Sequence, residues 1–247
     1  MTTRETTSLL SRADADTVAT RSTRERIEVI AWGAIQWPWL LRSLRGGSQA
    51  EKTALLERLG LSQEALPNLG SWKADTRFLM HIVDAIETLR PATVVELGCG
   101  ASSLIIAKAL ALNGGGRLIS YDQHADFVAA TGDWLTNHGL AADLRHAPLA
   151  QPPGDWPGLW YSLSDVPAAI DLLVIDGPPW ALHPLVRGAA ESLFPRLTAQ
   201  ARVLLDDAAR PGERLVAWRW RQRWPHMRFA YDRRGAKGTL IGQHRAT

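Results

Sequence analysis

The feature that most constrains the fold is the stretch of residues 94–103, which reads Val-Val-Glu-Leu-Gly-Cys-Gly-Ala-Ser-Ser. A short apolar run ends at Glu96 and Leu97, glycines follow at Gly98 and Gly100, and an apolar helical pattern begins directly afterwards. This order is typical of a buried parallel strand that passes through a tight turn into the N-terminus of a helix. In open α/β sheets such a turn faces the crevice that binds nucleotide-like cofactors, so the stretch predicts a cofactor site.

Beyond residue 73 the chain alternates between short apolar runs and helical patterns. Strands are predicted over residues 93–97, 117–121, 143–147, 170–175, 201–205, 227–231 and 239–241, and helices over 75–89, 102–112, 124–138, 184–196 and 211–223. This alternation predicts parallel βαβ units with right-handed crossovers. The link between the last two strands is too short for a crossover helix, so these strands must pair as an antiparallel hairpin. We therefore expect an α/β fold with a Rossmann-like, doubly wound sheet of seven mostly parallel strands.

Two further helical patterns precede this core, over residues 24–44 and 49–59, and Gly46-Gly47 separates them. We expect three parts: a disordered tail at residues 1–23, a helical layer at 24–72, and the α/β core at 73–247. The helical layer either covers the site as a lid or forms a homodimer face, and the sequence leaves both alternatives open.

Composition and charge exclude several classes of partner. The net charge is only +3, and no run of five basic residues is present, so we expect no nucleic-acid partner. An apolar run of about 18 residues, the length needed to span a membrane, is also absent from the sequence. The single cysteine, Cys99, excludes an intramolecular disulfide and fits a reducing compartment, so we expect a cytoplasmic location. The expected partner is a small-molecule substrate.

Asp122 ends the second predicted strand, about twenty residues after the glycine turn, where an acid accepts hydrogen bonds from both ribose hydroxyls of an adenosine. Such an acid fits both NAD and S-adenosylmethionine. Three features favour S-adenosylmethionine. The third glycine of the dinucleotide fingerprint is replaced by Ser103. Glu96 repels a pyrophosphate but suits the ammonium group of a methionine moiety. The C-terminal hairpin is the third feature.

On these residues, the chain over residues 73–244 resembles the class I S-adenosylmethionine-dependent methyltransferases. Glu96, Gly98 and Gly100 match the first motif of that family, and Asp122 matches its ribose-binding acid. The resemblance implies S-adenosylmethionine as the cofactor. The residues that we expect around the cofactor are Glu96, Gly98, Gly100, Ser102, Ser103, Asp122, Gln123, Ala147, Pro148 and Asp176. The alternative is a Rossmann-like sheet with a different nucleotide site.

Acidic residues follow the fourth and fifth predicted strands, at Asp176, Asp206 and Asp207. Both strand ends must lie on the same edge of the sheet, where three carboxylates repel one another unless a cation neutralises them. Oxygen ligands favour a hard cation such as Mg²⁺, Ca²⁺ or Mn²⁺. The arrangement resembles the metal-dependent small-molecule O-methyltransferases of the catechol and sugar-modifying kinds, which implies these three residues as metal ligands. The alternative is structural: Asp207 is an N-cap or pairs with Arg210, and Asp206 or Asp176 bonds a backbone turn.

The resemblance also implies a mechanism. The metal lowers the pKa of a substrate hydroxyl, whose oxygen then attacks the sulfonium methyl group in line. Asp176 is then a catalytic residue as well. The sugar-modifying enzymes carry a second acid two residues further on as the general base, but this chain has Pro178 there. We take His183 as the candidate base, against the alternative that it is structural. The candidate walls of the substrate pocket are Trp72, Trp160, Tyr161 and Trp180.

The predicted function is transfer of a methyl group from S-adenosylmethionine to a small-molecule hydroxyl, assisted by a divalent metal, in small-molecule biosynthesis. One alternative is a metal-independent N- or O-methyltransferase in which Asp206 and Asp207 are structural. The other alternative is a non-catalytic, cofactor-binding scaffold protein. A nucleic-acid methyltransferase is disfavoured, because the sequence has no Asn-Pro-Pro-Tyr type motif for a flipped base.

Overall fold

The computed structural model describes residues 22–66, 68–70 and 73–245. Nearly all of the predicted tail lies outside these residues, and so does Trp72. The first three elements are helices: α1 (Thr23–Ser43), α2 (Gln49–Arg58) and α3 (Thr76–Leu89). Ser22 and Ser48 begin α1 and α2 with complete capping boxes, in which each serine hydroxyl accepts a hydrogen bond from the backbone three residues later.

The core then follows the predicted alternation of strands and helices. Its elements are β1 (Thr93–Leu97), α4 (Ala101–Leu112), β2 (Arg117–Asp122), α5 (Ala125–Asn137), β3 (Asp143–His146), β4 (Leu149–Ala150), β5 (Trp160–Tyr161), β6 (Ile170–Ile175), a 3-10 segment (Val186–Arg196), β7 (Leu197–Leu205), α6 (Pro211–Arg223), β8 (Met227–Asp232) and β9 (Thr239–His244). All seven predicted strands are present, and β4 and β5 form an additional two-stranded sheet.

One predicted element differs in type. The segment predicted as an α-helix over residues 184–196 is a run of 3-10 turns from Val186 to Arg196. Gly188 and Pro195 lie inside it, and both residues disfavour a regular α-helix. Gly188 also packs against the Trp156 ring so closely that a Cβ would overlap it. The segment is therefore helical where the sequence predicted a helix, but its backbone hydrogen bonds follow the 3-10 pattern.

The seven-stranded sheet has the order β3-β2-β1-β6-β7-β9-β8. The first five of these strands pair in parallel, and β9 pairs antiparallel with both β7 and β8. This confirms the predicted Rossmann-like sheet with its C-terminal hairpin. Because β2 lies on one side of β1 and β6 lies on the other, the strand order reverses at β1. In doubly wound sheets, ligands bind at this switch point, outside the carboxyl ends of the strands.

Alternate residues of the central strands face opposite sides of the sheet, and both sides are buried. Val94 and Leu172 pack with α2, α3, α4 and Leu135 of α5, whereas Val95 and Leu173 pack with the 3-10 segment and α6. Burial on both faces explains why these strands are mostly apolar in the sequence. The two-sided core holds the carboxyl ends of β1, β6 and β7 rigidly beside one another.

Helix α1 lies on this core and includes Pro38 within its length. Its buried residues are Gln36 and Ser43. Several large apolar side chains of α1 and the residue that follows it are exposed, namely Ile27, Ile30, Ile35, Trp37, Leu41 and Leu44.

Within the described part of the chain, no helix combines the length and apolar character needed to cross a membrane.

Candidate functional site

A cavity of about 300 Å³ lies at the switch point, over the carboxyl ends of β1, β2 and β6. Of the residues predicted for the site, those that line it are Gly98, Gly100, Ser102, Asp122, Gln123, Tyr161, Asp176, Trp180 and Asp207. Residues that sequence reasoning did not assign to the site also line it, among them Leu40, Ser43, Leu44, His124, Phe127, Arg187 and Arg210. Most of the predicted site is thus brought together in one crevice.

The glycine turn after β1 forms the floor of this crevice. Gly98 has a φ of +95°, which side-chain-bearing residues rarely adopt, and Gly100 has a φ of +149°. A Cβ at Gly98 would lie 2.8 Å from the backbone nitrogen of Gly177, in the loop after β6. The absence of a side chain therefore lets the loops after β1 and β6 touch, which leaves backbone at the surface of the cavity.

Asp122 joins the ends of β1 and β2. One carboxylate oxygen accepts a hydrogen bond from the backbone N–H of Cys99 (3.1 Å), and the other accepts one from the backbone N–H of His124 (2.8 Å). These two hydrogen bonds hold the carboxylate in place between the two strand ends. Since Asp122 lines the cavity, its position fits the predicted contact with ribose hydroxyls.

Glu96 and Ser103 lie beneath the glycine turn and do not line the cavity. The Oε2 atom of Glu96 accepts hydrogen bonds from the hydroxyls of Ser103 (2.5 Å) and Ser120 (2.6 Å). Ser103 in turn accepts a hydrogen bond from the backbone N–H of Gly100. Burial raises the pKa of Glu96 to about 7. In this structure, Glu96 supports the turn from below instead of facing a ligand.

Two residues that were predicted to lie around the cofactor, Ala147 and Pro148, lie away from the cavity. Ala147 is buried, and its backbone N–H donates a hydrogen bond to the carbonyl of Asp122 (2.8 Å). Pro148 is exposed. Neither residue lines the cavity, whose wall next to Asp122 is formed by Gln123, His124 and Phe127. No sequence motif marked Phe127, because an apolar residue in the first turn of α5 reads equally well as part of the core.

Asp176, Asp206 and Asp207 converge as predicted. One carboxylate oxygen from each lies within 4.8 Å of the others. The cause is the parallel pairing of β6 with β7, which ends both strands at the same edge, where the Asp206 backbone N–H donates to the carbonyl of Ile175 (2.9 Å). The three acids are buried or nearly so.

Three cationic side chains of the same chain surround these carboxylates. Arg187 reaches Asp176 (3.4 Å) and Asp207 (3.0 Å), and Lys237 reaches Asp206 and Asp207, each at 3.4 Å. Arg210 pairs with Asp207 at 2.9 Å, as the structural alternative from the sequence supposed. The helix that follows has Arg210, not Asp207, at its N-cap.

The pKa values in this cluster diverge for physical reasons. Burial alone would raise the pKa of Asp207, but Arg210, Lys237 and Arg187 outweigh it and hold that pKa below its usual range. For Asp206 burial dominates: together with Asp207 and Asp176 it raises the pKa well above the ordinary value, although Lys237 opposes this.

A divalent cation does not fit this donor set as it stands. Every one of the three carboxylates already has an ammonium or guanidinium group within 3.4 Å, so the negative charge that attracts a metal ion is balanced by the chain itself. Sequence reasoning missed both Arg187 and Lys237. The available signals were a lone charge in the apolar stretch 185–190 and a lysine next to a glycine in the link between the last two strands.

The remaining predicted residues divide between the cavity and the core. His183 is buried and does not line the cavity, and its Nδ1 accepts a hydrogen bond from the backbone N–H of Leu185 (3.1 Å). Trp160 packs in the core, whereas the neighbouring Tyr161 lines the cavity. Trp180 also lines it and packs beside Gly33, so α1 forms one wall of the site.

Comparison with known proteins adds to this geometry. Residues 95–208 match the sequence model of a family described as a methyltransferase domain. No curated protein sequence matches the chain.

Solved structures share the fold at low sequence identity. The SAH-bound methyltransferase PaMTH1 of Podospora anserina has a TM-score of 0.54 at 11% identity, over 96% of this chain and 97% of that one. An O-methyltransferase from Bacillus cereus in complex with SAH has a TM-score of 0.54 at 11% identity, over 88% of this chain and 100% of that one. A methyltransferase from Geobacter sulfurreducens has a TM-score of 0.51 at 17% identity, over 79% and 87%.

The family match runs from within β1 to just beyond the end of β7, which is the part of the chain that contains the glycine turn, Asp122 and the three clustered aspartates. The sheet order and the C-terminal hairpin agree with it. Residues 95–208 thus resemble a methyltransferase domain, and they lie on a seven-stranded Rossmann-like sheet whose fold is shared with SAH-bound methyltransferases.

Proposed function

We propose that this protein transfers the methyl group of S-adenosylmethionine to a hydroxyl group of a small molecule. The observation that carries the proposal is the single crevice over β1, β2 and β6, which has Asp122 and the glycine turn at one end and Asp176, Tyr161 and Trp180 around the rest. The likeness in fold to the Bacillus cereus O-methyltransferase supports a hydroxyl as the acceptor.

Within this crevice, the cofactor supplies an electrophilic methyl group, and the chain binds and orients the reactants. Asp122 accepts hydrogen bonds from the ribose hydroxyls, and the backbone at Gly98 and Gly100 allows the methionine part to come close. Leu40 and Trp180 also line the crevice and limit the access of water to the reactants. Such positioning is the main source of rate in a displacement that needs three atoms in line.

Asp176 is the proposed proton acceptor for the substrate hydroxyl. It lines the cavity, and burial raises its pKa, while Lys237 and Arg187 oppose the rise. A raised pKa makes a carboxylate a better general base. His183, the candidate base from the sequence, has no part in this proposal because it lies outside the lining of the cavity. Metal assistance is also left out, since the three carboxylates have cationic partners from the chain.

A second copy of this chain is the proposed macromolecular partner. The exposed apolar residues of α1 recur at alternating spacings of three and four, at Ile27, Ile30, Ala34, Trp37, Leu41 and Leu44. This spacing is typical of a helix that pairs with another helix, and a stripe of this kind is self-complementary about a two-fold axis. An antiparallel pair also places Glu25 of one copy near Arg45 of the other.

The proposed location remains the cytoplasm, because the chain has one cysteine only.

The proposed function is tested first by calorimetric titration of S-adenosylhomocysteine into the wild-type protein and two variants. Asp122→Asn should weaken binding by about tenfold or more, since a hydrogen bond to a charged group contributes about 1.5–3 kcal/mol. Asp126→Asn is the matched control, because Asp126 is exposed on the neighbouring helix, and its affinity should equal that of the wild type.

Acceptor specificity is then tested by incubating the protein with S-adenosylmethionine and a panel of phenols, sugars and amines. Mass spectrometry should detect methylation of a hydroxyl compound and release of S-adenosylhomocysteine. Absence of S-adenosylhomocysteine binding by the wild type would overturn the proposal. Methylation of amines alone would overturn the hydroxyl acceptor but keep the methyltransferase.

A further inference from the structure

We propose that Lys237, together with Arg187, takes the place of a divalent cation between Asp176, Asp206 and Asp207. The cluster is thereby a site whose counter-cation is built into the chain, and binding of the cofactor does not depend on a metal ion. The statement about cofactor binding rests on the proposed function, but the placement of the cation does not.

The geometry that carries this inference is the approach of fixed cations from two sides. The Lys237 ammonium group lies 3.4 Å from the Asp206 carboxylate and 3.4 Å from the Asp207 carboxylate. The Arg187 guanidinium group lies 3.4 Å from a carboxylate oxygen of Asp176 and 3.0 Å from the second carboxylate oxygen of Asp207. A divalent ion among these oxygens would lie beside two buried positive charges, and the repulsion between charges at this distance is strong at a buried site.

Lys237 is itself fully buried, which is rare for a lysine without a charged partner. Burying an ammonium group is costly unless carboxylates surround it, and the same holds for the carboxylates. Lys237 and the two aspartates therefore require one another. Because both partners of each ion pair are buried, these pairs belong to the folded core and are not chance surface contacts.

The backbone around Lys237 is also held in position. Asp75, the N-cap residue of α3, accepts hydrogen bonds through one oxygen from the backbone N–H groups of Ala236 (2.8 Å) and Lys237 (3.0 Å). The Lys237 carbonyl accepts a hydrogen bond from the backbone N–H of Ala209 (2.9 Å), in the turn that follows the aspartates. The link between β8 and β9 is thus anchored both to α3 and to the loop that carries Asp206 and Asp207.

Cations of the chain itself balance most of the negative charge in the cluster. Glu213 is buried beside Arg210 at 3.7 Å, so four acidic side chains face Arg187, Arg210 and Lys237. Buried carboxylates that already lie against guanidinium and ammonium groups give a divalent cation little reason to leave water.

The first test is titration of Mn²⁺ into the wild-type protein, followed by electron paramagnetic resonance of the free ion. We expect no saturable Mn²⁺ site at micromolar to low millimolar concentrations, and the same melting temperature and S-adenosylhomocysteine affinity in EDTA as in Mg²⁺. Stoichiometric Mn²⁺ binding that is lost in Asp206→Asn would overturn the inference. This test needs no variant that removes Lys237, so it stands even where such a variant does not fold.

The second test removes the internal cation. Lys237→Met has a similar length and no charge, and Lys108→Met is the control because Lys108 lies on α4, away from the cluster. In a Lys237→Met protein that folds by circular dichroism, Mn²⁺ should bind and raise the melting temperature, and adding Asp206→Asn should abolish both effects. A folded Lys237→Met protein without a Mn²⁺ site contradicts the inference.

These outcomes are separable from those of the proposed function. If the wild type fails to bind S-adenosylhomocysteine, the proposed function fails while the Mn²⁺ results still decide the role of Lys237. If Mn²⁺ binds at the aspartates of the wild type while S-adenosylhomocysteine also binds, the inference fails and the methyltransferase stands.

Discussion

The ammonium group of Lys237 lies 3.4 Å from the carboxylate of Asp207, in the buried edge where β6 and β7 end. Asp207 has a φ of +59°, so its backbone adopts the left-handed conformation in the turn that brings its side chain to this lysine. The two residues belong to different connections of the sheet, one after β7 and one between β8 and β9. Their contact ties the C-terminal hairpin to the candidate site.

Gly98→Ala should destabilise the protein and abolish binding of S-adenosylhomocysteine. Besides the positive φ, a Cβ at this position would lie 2.8 Å from the backbone nitrogen of Gly177, which is too close for any real Cβ contact. The matched control is Gly114→Ala, because Gly114 has a φ of +97° and its Cβ would meet nothing within 4 Å.

The two variants separate backbone strain from the clash. Gly114→Ala should cost only the left-handed strain of about 1–2 kcal/mol in chemical denaturation, and it should bind S-adenosylhomocysteine normally. Gly98→Ala should cost more than this. Equal losses of stability with unchanged binding would show that the contact between the loops after β1 and β6 does not shape the site.

Glu96→Gln should stabilise the protein increasingly as the pH rises. The folded-state pKa of Glu96 is raised to about 7 from an ordinary value of 4.5, mainly by burial. The folded state therefore favours the protonated form, and the wild type loses stability as the pH rises from about 4.5 to 7. Glutamine keeps an acceptor for the serine hydroxyls but never ionises, so it avoids this loss.

Denaturation at several pH values measures the effect. The advantage of Glu96→Gln over the wild type should grow by about 2–3 kcal/mol between pH 5 and pH 8, since one unit of pKa shift corresponds to about 1.4 kcal/mol. Glu64→Gln, at an exposed position, is the control and should show no such trend. A constant difference across this range would mean that Glu96 ionises as readily in the folded state as in the unfolded one.

Gly177→Ala should be partly rescued by Tyr161→Phe. A Cβ at Gly177 would overlap the Tyr161 hydroxyl, and among the described residues that buried hydroxyl has no hydrogen-bond partner. Removing the oxygen alone should therefore change stability little or increase it. The single Gly177→Ala change should destabilise the protein by about 1–3 kcal/mol through overpacking.

A double-mutant cycle on these two positions, measured by urea denaturation, gives the coupling. We expect the double variant to recover part of the stability that Gly177→Ala loses, because a Cβ at Gly177 would also lie 2.9 Å from the Cα atom of Gly98. Additive effects of the two changes would instead assign the whole loss of stability to the contact with the Gly98 backbone.

Leu41→Glu should shift the protein from dimer to monomer in size-exclusion chromatography with light scattering. Leu41 is 53% exposed in the middle of the outward stripe of α1, so a buried charge there would oppose helix pairing. Arg42→Glu, on the neighbouring exposed position, is the control and should leave the dimer in place. A wild type that is monomeric at all concentrations would contradict the proposed pairing.

The order of elements and the location of the site were predictable from the sequence. Residues 172–175 are continuously apolar and residues 94–97 are apolar except for Glu96, which indicates burial on both faces of the sheet. An acid or a glycine follows each of these strands at the edge where a parallel sheet opens its crevice. The short link after β8 forced the antiparallel hairpin. Local rules of this kind depend only on residues near one another in the chain, so they can be read without a structure.

What surrounds each acid was decided by the tertiary structure alone. Glu96 looks like a ligand-binding residue in the sequence, yet it lies beneath the turn because Ser120, on the neighbouring strand, bonds it there. The sequence also predicts a metal site at Asp176, Asp206 and Asp207. In the structure, Arg187 and Lys237 pair with these acids from segments that lie elsewhere in the chain. Charge balance in a buried cluster depends on contacts between distant parts of the chain, and only the folded packing reveals which cation is there.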